Sequence, residues 1–263
     1  MIVLGIDAAW TATQPSGVAL VTEQGGGWEL VTVAASYQRF VASAGRDLMP
    51  EARPSGGVPD PSSLLATCTS LLGKAPDLVA IDMPLSREKI TSRRVSDDAV
   101  SRAYGGRKAG THTPSASRPG PISDELTLGF HHAGYPLQTT SIAAPGLIEV
   151  YPHPALIELT GATERLPYKV AKARRYWPTL SPVERRARLY AKWREIVIGL
   201  ETEITGVTAA LPALSPEASG IEAKAYEDML DAVVCAWVGV RALQGRAKAF
   251  GNEQSAIWIP TFR

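Results

Sequence analysis

Two aspartates close short apolar runs. Asp7 ends Ile2-Val3-Leu4-Gly5-Ile6, and Asp82 ends Leu78-Val79-Ala80-Ile81. Strand alternation puts Val3, Gly5 and Asp7 on one face and Ile2, Leu4 and Ile6 on the other. A carboxylate at the end of a buried strand is costly unless it is paired or coordinated. Alone, each acid reads equally well as a turn or cap carboxylate; together they point to a shared site. Asp228 and Asp231 supply the third element. They are three residues apart, hence on one helix face, and the rest of 229–240 is apolar. No basic residue is read at helical spacing to neutralise them, since Arg241 lies ten residues beyond Asp231. A bound cation is the expected solution. The alternative is an exposed first turn, where the helix dipole favours Asp; Asp231 sits deeper than Asp228. Four aspartates match the charge of two Mg²⁺ or Mn²⁺ ions, which prefer hard oxygen ligands. Such a pair activates water and stabilises the leaving oxygen in phosphodiester cleavage. The expected metal ligands are therefore Asp7, Asp82, Asp228 and Asp231.

Glu149 is a fifth candidate catalytic acid, inside the run GLIEVY, either as a metal ligand or as the partner of an arginine. His153 follows it between two prolines, where it is structural or contacts a phosphate. Trp10 and Thr11 follow Asp7 and are expected either at the mouth of the site or in packing. Ser86 and Cys235 have no histidine nearby in sequence, and Cys235 reads as core. His112, His131 and His132 lack zinc spacing. No P-loop or dinucleotide glycine pattern is present.

Charge is unevenly spread. The chain carries net +1, yet 87–118 carries net +5 and 165–194 net +9, leaving −13 for the remainder. Two basic blocks on an acidic body suit a phosphate-rich ligand or simply solvated helix faces. Arg93, Arg94, Arg102, Arg107 and Lys108 are the expected contacts to a nucleic-acid backbone, with salt-sensitive binding.

These residues need a frame. Runs 2–7, 17–23 and 28–36 read as strands, with Gly25-Gly26-Gly27 as a hairpin turn. The Gly/Pro-rich 44–61 reads as a loop. A helix is expected over 62–73, with Ser62 as N-cap and Gly73 just past its end. Strands follow at 77–82 and 146–151. The roughly 60 residues between them, about 87–145, are too long for a bare loop and read as a functional insertion. Pro154 opens a short helix closed by Gly161. Ser181-Pro182-Val183-Glu184 is a capping box starting a helix to about Leu200, with Leu189, Trp193, Ile196 and Leu200 as its apolar stripe. Stretch 204–220 is loop-rich, 221–243 is the clearest helix, and AIWIP reads as a last strand. The order gives an α/β fold, a mixed sheet with helices on its faces, in one domain over 1–263.

With 263 residues, 45% of them hydrophobic, the chain can bury a large core, and disorder is excluded as its main state. Two cysteines exclude a disulfide scaffold and point to a reducing cytoplasm. The longest apolar run is too short for a bilayer. MIVLGIDAAW lacks a basic leader region and reads as a strand, so no secretory signal is expected.

GIDAAW with the following SGVAL, then AIDMPLS, EVYPHP and DMLDAVVCAW, resemble the domain of unknown function 429 family along the whole chain. That family is described as predicted nucleases of the RNase H-like fold. The resemblance implies a five-stranded sheet in order 3-2-1-4-5. It also implies a first-strand acid (Asp7), a fourth-strand acid (Asp82) and acids on the last helix (Asp228, Asp231). Where resolvases often carry Glu on the fourth strand, Asp82 is one methylene shorter. The expected function is a metal-dependent nuclease. One alternative is a non-catalytic module that binds nucleic acid or protein. Another is a small-molecule phosphotransferase, disfavoured because 8–13 lacks the glycines of a phosphate-holding turn.

Overall fold

The structure is a computed structural model that describes residues 1–45 and 53–261; the part of the expected 44–61 loop at 46–52, Pro50 included, lies outside the described residues. Among the described residues, the apolar runs form a seven-stranded mixed sheet in the order β3-β2-β1-β4-β5-β7-β6. The strands are β1 (Ile2–Asp7), β2 (Gly17–Gln24), β3 (Gly27–Ala34), β4 (Leu78–Asp82), β5 (Gly146–Val150), β6 (Ala247–Gly251) and β7 (Ala256–Pro260). The helices are α1 (Tyr37–Ala42), α2 (Pro61–Leu72), α3 (Val95–Tyr104), α4 (Pro121–His132), α5 (Pro152–Thr160), α6 (Ala173–Tyr176), α7 (Pro182–Glu201), α8 (Val207–Ala210) and α9 (Gly220–Leu243).

The first five strands lie in the expected order 3-2-1-4-5. The expected strand count is corrected: the C-terminal hairpin adds β7 parallel to β5 and β6 beyond it. The motif AIWIP is the buried β7, whereas β6 escapes a hydrophobicity reading because it is a partly exposed edge strand. The β2–β3 turn is made by Gly25 and Gly26, both at positive φ (61° and 83°), which a tight hairpin requires. Helix α2 starts one residue earlier than expected. Asp60, not Ser62, is its N-cap, accepting from the Ser62 N–H at 3.1 Å, with Pro61 in the first turn. The Ser181 capping box of α7 forms as expected. Helix α5 opens at Pro152 rather than Pro154. The insertion between β4 and β5 folds, carrying α3 and α4.

The sheet separates two cores. On one face Val3, Leu78, Ala80, Ile148 and Val150 pack with α5, α7 and α9. On the other, Ile2, Leu4, Ile6, Val79, Ile81 and Leu147 pack with α1, α2 and α4. Cys235 is buried in the first core and Cys68 in the second. Among the described residues, no helix is long and apolar enough to cross a membrane.

Candidate functional site

Strands β1 and β4 run parallel, with Asp7 directly opposite Asp82. Register partners on parallel neighbours share a face. That face is fixed by α9, which crosses β1 and β2 at unusually short range. A Cβ on Gly5 would lie 2.3 Å from the Ala232 carbonyl oxygen, and one on Gly17 would lie 1.9 Å from that of Asp228. Glycine at these two positions lets the helix backbone sit on the strands. The close approach sets the middle of α9, with Asp228 and Asp231, against the ends of β1 and β4. The four expected aspartates therefore belong to one site. Both helix acids are buried, Asp231 completely (0% exposed).

The expectation that no basic residue neutralises the helix acids is corrected. Lys224, four residues before Asp228 and one turn away, pairs with it and with Glu227 at 3.2 Å. Lys169, from the second basic block, pairs with Asp231 and reaches Glu227 at 3.4 Å. The Tyr168 hydroxyl donates to Asp231 Oδ1 at 2.8 Å, and the Val170 N–H donates to Glu227 Oε2 at 2.6 Å. Lys169, Lys224, Glu227 and Tyr168 were missed in the sequence. Lys224 stood at plain helical spacing. Lys169 is 62 residues from its partner, signalled only by the basic block around it.

Burial dominates the electrostatics. It raises Asp7 well above the usual carboxylate range, reinforced by Asp231, Asp228 and Asp82 against the pull of Lys169. Burial raises Asp82 to about 7 although Lys169 opposes it, and Asp228 to about 6 although Lys224 opposes it. Asp231 is also raised by burial despite Lys169. Burial alone would lower Lys169, but Asp231, Tyr168, Glu227 and Asp7 hold it well above its ordinary value. Five carboxylates here face two ammonium groups, so the cluster is short of positive charge.

A hard cation fits this deficit in a restricted way. Among the described residues, no three His, Cys, Asp or Glu side chains are grouped so as to hold a metal ion. Asp231 is engaged by Lys169 and Tyr168, and Asp228 by Lys224 through one oxygen. Its other oxygen, Oδ2, is buried without a hydrogen-bond partner. What remains is the Asp7–Asp82 pair, all-oxygen and in register. Mg²⁺ binds readily to one or two carboxylates while waters and a substrate phosphate complete its shell.

The other expected site residues lie elsewhere. Glu149 pairs with Ile81 in the β4–β5 register and so sits on the opposite face from Asp82. It is buried (3% exposed) and bound to Arg94, which donates to its two oxygens at 2.5 and 2.8 Å; the Leu85 N–H donates at 2.8 Å. Of its two expected roles, it takes the arginine partner. Arg94 is thereby corrected from a surface grip to a buried tie, since it also binds Asp97 and the Leu85 carbonyl. Arg93 is anchored on Asp98, Thr113, Ser101 and the Asp97 carbonyl. Arg107 is tied to Glu158 and the carbonyls of Ala162 and Thr163. Lys108 pairs with Glu164 at 2.6 Å, and Arg102 is exposed. His153 is buried between Tyr151 and Tyr168, with ring centroids 5.2 and 5.5 Å away. Trp10 is half-buried beneath the Arg118 guanidinium at 5.8 Å.

Residues 130–256 match the model of a family described as protein of unknown function (DUF429). That match supports the DUF429 family. The DUF429 span contains Lys169, Glu227, Asp228 and Asp231 and leaves Asp7 and Asp82 outside it. Comparison with curated proteins and with solved structures gave no match.

Proposed function

We propose that this chain is a phosphodiester hydrolase of RNase H-like type, dependent on one Mg²⁺ or Mn²⁺ ion held by Asp7 and Asp82 and acting on nucleic acid. The observation that carries this reading is the placement of Asp7 and Asp82 in register at the ends of neighbouring parallel strands, with α9 delivering two further acids to the same face. One ion, rather than the two expected from the aspartate count, follows from charge. Lys169 and Lys224 already neutralise part of the cluster, and two divalent ions added to them would overshoot five carboxylates. The ion would supply Lewis-acid stabilisation of a phosphoryl oxygen and a water of lowered pKa. Asp7 and Asp82 would hold it. Tyr168 holds Asp231, and Asp231 and Glu227 hold the Lys169 ammonium, which would stabilise negative charge on the phosphate in the transition state. Glu227 fixes the Lys169 segment through the Val170 N–H.

Calorimetric titration with Mn²⁺ should show one ion bound to the native chain and none to Asp7→Asn or Asp82→Asn. Cleavage of labelled RNA–DNA hybrid and branched DNA should disappear in the same variants. Absence of ion binding at millimolar concentration overturns the proposal. It would favour the non-catalytic binder, which the existing lysine–carboxylate pairs already suit.

A further inference from the structure

The two basic blocks, apart in sequence, meet in space. The Arg165 N–H donates to the Arg107 carbonyl at 2.8 Å, and the Tyr151 hydroxyl donates to the Gly110 carbonyl at 3.2 Å. These ties bring the segment around His112 and the segment 165–176 together beside Tyr151 and His153. Several polar atoms at this junction are buried without a partner among the described residues: Arg165 Nε, His153 Nδ1 and the Tyr176 hydroxyl. His153 is only 7% exposed. Buried polar atoms are normally satisfied, and a group of orphans in one place asks for a ligand. A neutral imidazole can carry its proton on Nδ1, so each of the three is a potential donor.

The electrostatics agree with this geometry. Burial and then Arg165, Lys169, Lys172 and His112 push His153 well below its ordinary pKa. Burial lowers His112 as well, joined by Lys172, Arg165 and Arg118. Lys172 is lowered by burial, Arg165, Lys169 and Arg175, with Glu227 opposing. Positive groups therefore crowd one another without enough negative charge. The cluster lies within electrostatic reach of the carboxylate site, since Arg165 and Asp82 both act on the buried Tyr151 hydroxyl, in opposite directions. From His112 the positive charge continues to Arg118, which covers Trp10, three residues past Asp7.

We infer that Arg165, Lys172, His112 and His153 form a phosphate-binding subsite for a single-stranded nucleic-acid segment that runs from there past the carboxylates to Trp10. This rests on the nuclease reading for what happens to the strand, but not for its binding. A small phosphate would need only the junction itself. A strand uses the whole track, its phosphates on the basic groups and a base against the Arg118 guanidinium that covers Trp10, as single-strand binders combine charge and stacking. The exposed basic face of α7 has one such atom among the described residues, the Tyr190 hydroxyl, against three at this junction.

The test is fluorescence anisotropy with a labelled twelve-residue oligothymidylate in EDTA, so that it does not depend on a bound ion or on cleavage. Arg165→Met and Lys172→Met should each weaken binding about tenfold, the loss expected for a charged hydrogen bond. Each should also reduce the slope of log K against log salt by roughly 0.7. Arg188→Met, an exposed α7 arginine of the same basic block, should change binding less than twofold. Lys172 is half-buried, so its variant keeps the test valid should Arg165→Met fail to fold. Equal weakening by all three variants, or none by the first two, overturns the subsite while leaving the ion-binding proposal standing. Inorganic phosphate that displaces the strand at comparable concentration would make this a small-phosphate site and overturn the strand assignment. Failure of Mn²⁺ binding alongside the expected anisotropy changes would leave the subsite standing and remove the hydrolase.

Discussion

Lys169 enters the acidic cluster from a segment that shares no regular hydrogen-bonded ladder with α9, and its ammonium meets a carboxylate with no exposure to water. Removing one member of such a pair leaves an uncompensated buried charge, which costs about 3–5 kcal/mol. Lys169→Met should therefore lower stability by about that amount in urea unfolding at pH 8. The loss should shrink as pH falls, because burial raises Asp231 and the variant lacks the ammonium that opposes its protonation. Lys169→Met with Asp231→Asn should recover most of it, a coupling that a double-mutant cycle measures directly. Additive losses would show that the pair contributes nothing. At this scale the sequence was uneven. Asp7, Asp82, Asp228 and Asp231 stood out because each is an acid in apolar surroundings. Their partners did not, because a lysine in a basic block looks the same whether it faces solvent or a carboxylate 62 residues away. Arg94 shows the converse: a typical surface residue by type, it lies buried between Asp97 and Glu149.

Helix α9 is the element that assembles the site, and two glycines let it do so. The Cβ of Gly5→Ala would overlap the backbone of Ala232 and Ala236, which no rotamer change relieves. Overpacking of this kind costs typically 1–3 kcal/mol, occasionally more. The shift it forces carries Asp228 and Asp231 away from Asp7. Gly5→Ala should thus lower the thermal midpoint and weaken Mn²⁺ binding together. By contrast Gly105→Ala, where a Cβ meets nothing within 4 Å, should leave both unchanged. Equal behaviour of the two variants would mean that the close crossing does not set the site. The strands of the sheet centre were legible because they are continuous apolar runs, and α9 because it is apolar nearly all round. Helices α3 and α4 were not, since in a stretch such as VSDDAVSRAY the buried face is Ser96, Asp97, Val100 and Tyr104, half of it polar. Edge strand β6 was missed for a related reason: AKAFG has no fully buried position and no regular alternation, and its pairing with β7 is a tertiary fact.

Across the whole molecule, the carboxylate cluster links stability to pH and to cations. Asp82 at about 7 and Asp228 at about 6 are raised above their unfolded values. The stability they contribute is fully present below about pH 4 and is lost as pH rises through those folded values. His153 and His112 are shifted down, so their contribution has the opposite sign, present above about pH 6.5 and lost on acidification. The comparison that isolates the carboxylates is therefore native chain against Asp82→Asn, in which the histidine contributions cancel. Without metal, the two should melt together near pH 4. At pH 8 the variant should melt higher by roughly 2–4 °C, the shift about 1 kcal/mol makes in a domain of this size. Such a gain on deleting a charge is the mark of a site held at a cost to stability. Saturating Mn²⁺ should reverse the order at pH 8, because the ion stabilises only the chain that binds it. At pH 5, where Asp82 is protonated, the ion should do little. A variant that is less stable than the native chain at pH 8 in EDTA would mean that Asp82 already has its counter-charge within the protein. Lys169 would then complete the site alone, and the case for a bound cation would fall with it.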